Sequence, residues 1–147
     1  MVRGSCLCGG VKFEISEVVG PFELCHCNRC RKVSGSAFMA RICAKRSGFR
    51  FLQGLELVRS YEAPILEKPP AYRVCFCGVC SSPLPDPAGS SALLEIPAGI
   101  LDDNPGIKPD KHIFVEFNAP WFQIKDELPQ FDKVALRKFR ADQKPIT

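Results

Sequence analysis

Nine cysteines in 147 residues constrain this chain more than any other feature, because seven of them fall into three compact groups. The groups are Cys6-x-Cys8, Cys25-x-Cys27-x-x-Cys30 and Cys77-x-x-Cys80, while Cys43 and Cys75 stand apart. A CxxC turn lets two thiolates reach one tetrahedral ion at about 2.3 Å. In CxC on extended backbone, residues i and i+2 project to one face, so both sulfurs can meet the same ion. Gly9, Gly10 and Gly78 supply the tight backbone that such turns require. An odd cysteine count leaves one thiol over even if every possible disulfide forms, and the opening MVRGSCLCGG lacks the apolar core of an export signal. The expected compartment is cytoplasmic, where thiols stay reduced and clustered cysteines hold metal or do chemistry.

All-thiolate tetrahedral sites select Zn²⁺ or an iron–sulfur cluster, and Cys25-Cys27-Cys30 does not follow the common ferredoxin spacings, so zinc is the expected ion. Two pairs make four ligands: Cys6, Cys8, Cys77 and Cys80 can close one site and leave the triple with an open position. A closed four-ligand site is structural, whereas three protein ligands and one exchangeable ligand is the arrangement of a catalytic zinc. Two alternatives stay open. Cys43 or Cys75 can complete the triple as a second structural site, and Cys75, which alternates with Cys77, can compete for the first ion.

Alternating apolar runs point to half-buried strands at Val11-Phe13-Ile15, Phe38-Ala40-Ile42, Phe49-Phe51, Leu55-Leu57 leading to Tyr61, Tyr72-Val74-Phe76, Leu94-Ile96 and Ile113-Val115-Phe117. Thirteen Pro and eleven Gly separate them and leave no long helical pattern before the tail. The length suits one domain with a single core, so the expected architecture is mainly β with long Pro/Gly-rich loops. One short helix is expected to begin near Asn28, as N-cap, and to stop at Gly35. A helical turn or two is expected around Lys133 to Arg140, with disorder at the last few residues. No segment reaches the roughly 18 apolar residues of a membrane span, so no membrane association is expected.

Three segments together resemble one family. They are Gly4-Ser5-Cys6-Leu7-Cys8-Gly9, then Cys25-His26-Cys27-Asn28-Arg29-Cys30-Arg31-Lys32 with Ser34-Gly35, and Phe76-Cys77-Gly78-Val79-Cys80 with Ser82-Pro83-Leu84. The sequence is similar to the glutathione-dependent formaldehyde-activating enzyme family, which also includes centromere protein V. Later segments resemble it too: Phe51 to Tyr61, Ile96-Pro97-Ala98-Gly99 with Leu101-Asp102-Asp103, and His112 to Val115 followed by Ala119-Pro120-Trp121. The resemblance implies a single-domain tent-like β fold, a β-tent, carrying two zinc ions. It assigns Cys6, Cys8, Cys77 and Cys80 to a structural site and Cys25, Cys27 and Cys30 to the catalytic one. It also implies a zinc-binding domain over residues 4–131 and a C-terminal tail over 132–147. The chain departs from the pattern at Ser81, where the family usually has Gly, and in the additional thiol Cys75.

Three thiolates leave a bound Zn²⁺ with net negative charge, a poor Lewis acid for making hydroxide but a good holder of a fourth, exogenous thiolate. That is an activated sulfur nucleophile. With glutathione as the thiol and formaldehyde as the electrophile, the reaction is reversible formation of S-hydroxymethylglutathione, the carbon–sulfur lyase chemistry that the resemblance implies. From Leu24 to Leu55 there is no Asp or Glu, but there are seven cations: Arg29, Arg31, Lys32, Arg41, Lys45, Arg46 and Arg50. Arg31 and Lys32, nearest the triple, are candidate contacts for an anionic thiol; a solvated basic face is the plainer use of the stripe. Metal-bound thiolates would also offset much of the net charge of +4, which weakens the case for a nucleic-acid partner. The expected partners are a small thiol and an aldehyde, and a homo-oligomer is compatible with the sequence.

Other residues have simpler expected uses. His26 should point away from the ion, His112 reads as a satisfied packing histidine, and Trp121 as core. Asp102 and Asp103 suit turn and capping roles, and Cys43 a small buried hydrophobe. A zinc-stapled binding module without catalysis, or a redox-responsive zinc-thiolate protein, is the alternative to an enzyme.

Overall fold

A computed structural model describes residues 1–143. The disorder expected at the last few residues therefore lies outside the described residues. The strands run in chain order as β1 (Val2–Ser5), β2 (Lys12–Ile15), β3 (Val18–Cys25), β4 (Met39–Lys45), β5 (Phe49–Gln53), β6 (Val58–Glu62), β7 (Arg73–Cys77), β8 (Pro83–Leu84), β9 (Leu93–Pro97), β10 (Lys111–Ile113) and β11 (Gln130–Phe131). Two α-helices, α1 (Asn28–Ser34) and α2 (Lys133–Ala141), and four short 3₁₀ turns complete the regular structure among the described residues. The architecture is mainly β, as the alternating runs require.

The chain forms two compact units, the first comprising residues 1–21 and 41–107. There β1, β2 and β5 make an antiparallel sheet in which Phe13 lies opposite Gly4 on one side and Phe51 on the other. Val11, Phe13 and Ile15 are each fully buried, which is the period-two pattern expressed as packing. A second pairing sets β4 against β9, with Ile42 opposite Ile96 and Ala44 opposite Leu94. A third sheet is β6-β7-β8, with the half-buried strand expected at Tyr72 to Phe76 present as β7. Tyr72, Val74 and Phe76 are only half-buried, while Cys75 and Cys77 point inward. Strand side chains alternate, so once Cys77 faces the interior the aromatic set must take the other face. The core here is Cys6, Val11, Cys75, Cys77 and Leu84, closed by Phe51, Leu57, Val58, Cys80 and Ile100. Sulfur thus supplies much of the interior that larger hydrophobes fill elsewhere.

The second unit comprises residues 22–40 and the chain from Lys108 onward. The end of β3 pairs in parallel with β10, setting Cys25 opposite Ile113, and β10 pairs in parallel with β11. Sequence alternation misses β3 because Phe22 to Cys25 are buried in succession, which erases the period of two. It also overextends β10. Phe114 adopts φ 57°, a left-handed conformation, and Val115–Phe117 turns into a short 3₁₀ segment instead of continuing the strand. The core joins Cys25, Cys30, Met39, Ile113 and Leu136, with Cys27, Val33, Phe114 and Phe131 packed against it.

The expected helix near Lys133 to Arg140 is present as α2, capped by Asp132, whose Oδ1 accepts the Ala135 N–H at 2.8 Å. It docks through Leu136 and through Arg140, whose Nη2 donates to both oxygens of buried Glu23 at 3.0 and 3.1 Å. Lys111 Nζ lies 3.8 Å from the same carboxylate and 5.6 Å from the centre of the Phe139 ring. A buried carboxylate with two cations and an aromatic lid is compensated rather than orphaned.

Candidate functional site

The two cysteine groups of the first unit converge. Cys6, Cys8, Cys77 and Cys80 place their sulfurs within 4.8 Å of one another. Bonds of 2.3 Å at tetrahedral angles set sulfurs about 3.8 Å apart; Cys6 to Cys8 is 3.5 Å and Cys8 to Cys77 is 3.8 Å. The donor set and its spacing therefore fit a tetrahedral thiophilic ion, with no fifth sulfur in the group. Each turn also aims backbone donors at its sulfurs, as bound thiolates require. The Val11 N–H donates to Cys6 Sγ at 3.2 Å. Ser82 links the turns: its Oγ accepts the Leu7 N–H at 2.9 Å and lies 3.3 Å from Cys80 Sγ. The Ser82 hydroxyl, then the Ser82 and Cys8 N–H groups, hold the Cys80 thiol down to about 5.

The CxxC turn closes with Ser81 N–H donating to the Cys77 carbonyl at 2.8 Å, which forces Ser81 to φ 62°. A Cβ in this region is strained by about 1 kcal/mol, so the Gly usual in this pattern has a backbone reason. Ser81→Gly is expected to stabilise the protein by about 0.5–1 kcal/mol, part of the strain relief being lost to the freer unfolded chain. Thermal or urea unfolding of the metal-loaded protein checks this; a lower melting point would show that the strain account is wrong.

In the second unit Cys25, Cys27 and Cys30 also lie within 4.8 Å of one another. Cys25 ends β3, and Cys27 and Cys30 sit at the start and in the first turn of α1. The N-cap is Cys27 rather than Asn28: Cys27 Sγ accepts the Cys30 N–H at 3.4 Å, and the Asn28 Oδ1 is engaged by Arg31 at 2.8 Å. Gly35 ends the helix in the left-handed conformation, as its place predicts. Hydrogen bonds from the Cys25 and Cys30 thiols, assisted by the Cys30 and Arg29 N–H groups, hold the Cys27 thiol down to about 2. The three soft donors of the triple, all within reach of one point, fit Zn²⁺ with one ligand position left over. Neither Cys43 nor Cys75 joins either cluster among the described residues. Cys43 is half-buried opposite Glu95, and Cys75 is a buried thiol whose desolvation raises its pKa against the pull of Arg73.

The histidines do more than the sequence suggests. His26 and His112 are both buried and meet at 2.7 Å, Nε2 to Nδ1. His112 Nε2 then lies 3.0 and 3.1 Å from the two carboxylate oxygens of Asp126, a residue the sequence reading passed over. Nothing in the local sequence ties these three together, since 86 and 14 residues separate the partners. Trp121 is a correction: it is 71% exposed, and Phe122 instead provides the aromatic contact, 6.1 Å from the His26 ring. The chain turns there because Asn118 Nδ2 donates to the Phe122 carbonyl at 2.7 Å, leaving the intervening indole outside.

The sequence model of the glutathione-dependent formaldehyde-activating enzyme family matches residues 1–117. The chain belongs to that family. A Halomonas elongata protein named "Putative glutathione-dependent formaldehyde-activating enzyme" is 28% identical over 128 residues, covering 85% of this chain and 82% of its own. A crystal structure of a Rhodobacter sphaeroides protein shares the fold at a TM-score of 0.53 with 19% identity, spanning 88% of this chain and 99% of that one.

In this chain the basic stripe is largely engaged elsewhere. Arg41 pairs with Glu95 at 2.7 Å, Lys45 with Glu17 at 2.9 Å, and Arg50 with Glu14. Arg46 donates to the carbonyls of Ser91 and Asp86 at 2.8 and 3.0 Å. Acidic residues distant in sequence supply the compensation that the local stretch lacks. Of the two candidate substrate contacts, Lys32 is exposed and Arg31, tied to Asn28, keeps a buried Nε without a hydrogen-bond partner. Asp102 and Asp103 brace the N-terminal strand, accepting from Ser5 Oγ at 3.0 Å and from the Arg3 guanidinium at 2.9 and 3.1 Å. Among the described residues no helix is long and apolar enough to cross a membrane.

Proposed function

We propose that this protein is a zinc-dependent carbon–sulfur lyase acting on a small thiol adduct, and that in the joining direction it condenses glutathione with formaldehyde to S-hydroxymethylglutathione. The carrying observation is the contrast between a four-sulfur cluster with no position to spare and a three-sulfur cluster with one. In this reading Cys6, Cys8, Cys77 and Cys80 hold a structural zinc, and Cys25, Cys27 and Cys30 hold the reactive one. A zinc so bound would keep an incoming thiol in its thiolate form near neutral pH, against a free value of about 8.5.

The remaining work falls to the chain itself. The β3 end and the first turn of α1 fix three sulfurs on a rigid corner, so the thiol meets a preorganised site. Arg31 and Lys32 contribute positive charge beside it, suited to the carboxylates of glutathione. In the joining reaction the thiol sulfur forms the new bond to the aldehyde carbon, and the thiol proton ends on the former carbonyl oxygen; no oxidant is needed. The responsible domain is residues 4–131, with the tail from 132 adding α2 as a buttress, and the site of action is the cytoplasm, where glutathione is abundant and reduced.

Titrating the zinc-loaded protein with glutathione and following zinc-edge X-ray absorption tests the reading. The mean number of sulfurs per zinc is expected to rise to four, and added formaldehyde to yield S-hydroxymethylglutathione faster than the uncatalysed addition. Saturated sulfur coordination before glutathione is added would favour a purely structural, zinc-stapled module instead.

A further inference from the structure

Each sulfur cluster contains one CxC arm, and the two spacer residues behave in opposite ways. Leu7, between Cys6 and Cys8, is 88% exposed, whereas His26, between Cys25 and Cys27, is wholly buried. The closed cluster has four ligands to define its geometry. The triple has three, and its arm is held from outside by the spacer. The His26 N–H donates to the Ile113 carbonyl at 3.0 Å, and the ring Nε2 meets His112 Nδ1 at 2.7 Å. His112 is in turn held by the Asp126 carboxylate, and Asp126 Oδ1 accepts the Leu128 N–H at 2.9 Å. Phe38, with its ring centre 5.4 Å from that of His26, and Phe122 pack the imidazole from the sides. Asn118 and the Ala37 backbone lie close enough to act on the ring's charge, yet His26 Nδ1 makes no hydrogen bond of its own. The His112 contact is therefore the hydrogen bond that anchors the ring in its pocket.

We infer that Asp126, His112 and His26 form a buried tether that positions the Cys25–Cys27 arm of the reactive metal site, which makes His112 and Asp126 positioning residues for it. The inference rests on the proposed metal-binding role of the triple. One proton bridges the two rings and another bridges His112 to Asp126, and the tether works whichever ring holds the shared proton. Breaking it leaves a buried imidazole nitrogen unsatisfied. The ring then relaxes toward a new partner and carries with it the two backbone positions that bear the sulfurs. Partners one step removed from ligands typically change metal affinity ten- to a hundredfold, which sets the expected scale.

Chelator competition on the zinc-loaded full chain reads this directly, because the two ions should leave at different chelator concentrations. His112→Leu keeps bulk but removes the hydrogen bond, and is expected to weaken the more labile ion by about ten- to a hundredfold while leaving the tighter ion unchanged. His112→Asn places an amide atom where Nδ1 stood, able to donate or accept, and is expected to restore affinity to within about threefold of wild type. Asp126→Ala, at an exposed loop position, is expected to act in the same direction and serves if the Leu variant fails to fold. Release of both ions at wild-type chelator concentrations from either weakening variant overturns the tether. So does an Asn variant as weak as the Leu variant, which would make packing the cause. A wild-type chain that holds a single ion would instead overturn the two-site reading underneath.

Discussion

Cys77→Ser is expected to be the most damaging single substitution in the chain. It should lower the melting temperature by more than about 10 °C, or prevent the first unit from folding, and should cost the zinc bound there. Cys77 is fully buried, its sulfur lies 3.8 Å from that of Cys8, and it shares a core with Cys6, Val11, Cys75 and Leu84. Two losses combine. A serine hydroxyl is a poor replacement for a soft thiolate ligand, and it places an unsatisfied polar atom in an apolar interior. Structural zinc contributes on the order of 10–16 kcal/mol in small zinc peptides, comparable with the whole 5–15 kcal/mol stability of an ordinary domain. Loss of even part of it outweighs any ordinary core substitution. Cys75→Ser is the matched control, on the same strand and face but outside the cluster. It should cost only about 1–3 kcal/mol, for the buried hydroxyl, and retain both ions. Metal analysis and thermal unfolding of the two variants separate the roles, and equal behaviour would remove Cys77 from the ligand set.

The same strand shows how far the sequence could be read. The Cys77-x-x-Cys80 spacing announced a ligand turn without any knowledge of the fold, because the sulfur positions follow from a few backbone torsions. The orientation of β7 is not legible from hydrophobic alternation, which weighs Val74 and Phe76 above Cys75 and Cys77. In the structure the thiols are the interior face, and the aromatic residues take what remains. Strand β3 was illegible for a related reason: residues buried on both faces carry no period. Phe114 ended β10 through a backbone conformation that side-chain pattern does not encode.

Long-range polar contacts were the other blind spot. Asp126 reaches His112, and Glu14, Glu17 and Glu95 reach the basic stripe, across separations that only the folded sheets bring together. The stripe looked available for a ligand because its counter-charges were invisible in the local sequence. Most of it pairs with carboxylates or loop carbonyls instead, and exposed pairs of this kind contribute little each. What remains beside the triple is Arg29, Arg31 with its unpartnered Nε and the exposed Lys32, a smaller attraction for an anion than seven cations implied. Substrate affinity in the proposed reaction should therefore depend mainly on the thiol and its few nearest contacts, and only weakly on ionic strength.

Cys27→Ser separates chemistry from folding more cleanly than any other change at the triple. Cys27 is both a member of the sulfur cluster and the N-cap of α1, accepting the Cys30 N–H. Serine is among the best N-cap residues, so the helix should keep its start even as the soft ligand is lost. The melting temperature is expected to stay within a few degrees of wild type, since the first unit and its four-sulfur cluster are untouched. Zinc content should fall from two ions to about one per chain, and glutathione-dependent formation of S-hydroxymethylglutathione should drop to the uncatalysed rate. The loss should be complete because the triple has only three sulfurs, and two cannot hold the ion against solvent as three do. Retention of both ions together with activity would mean that the reactive centre lies elsewhere. Loss of the fold along with the metal would mean that the triple is a second structural staple, and the protein a binding module rather than an enzyme.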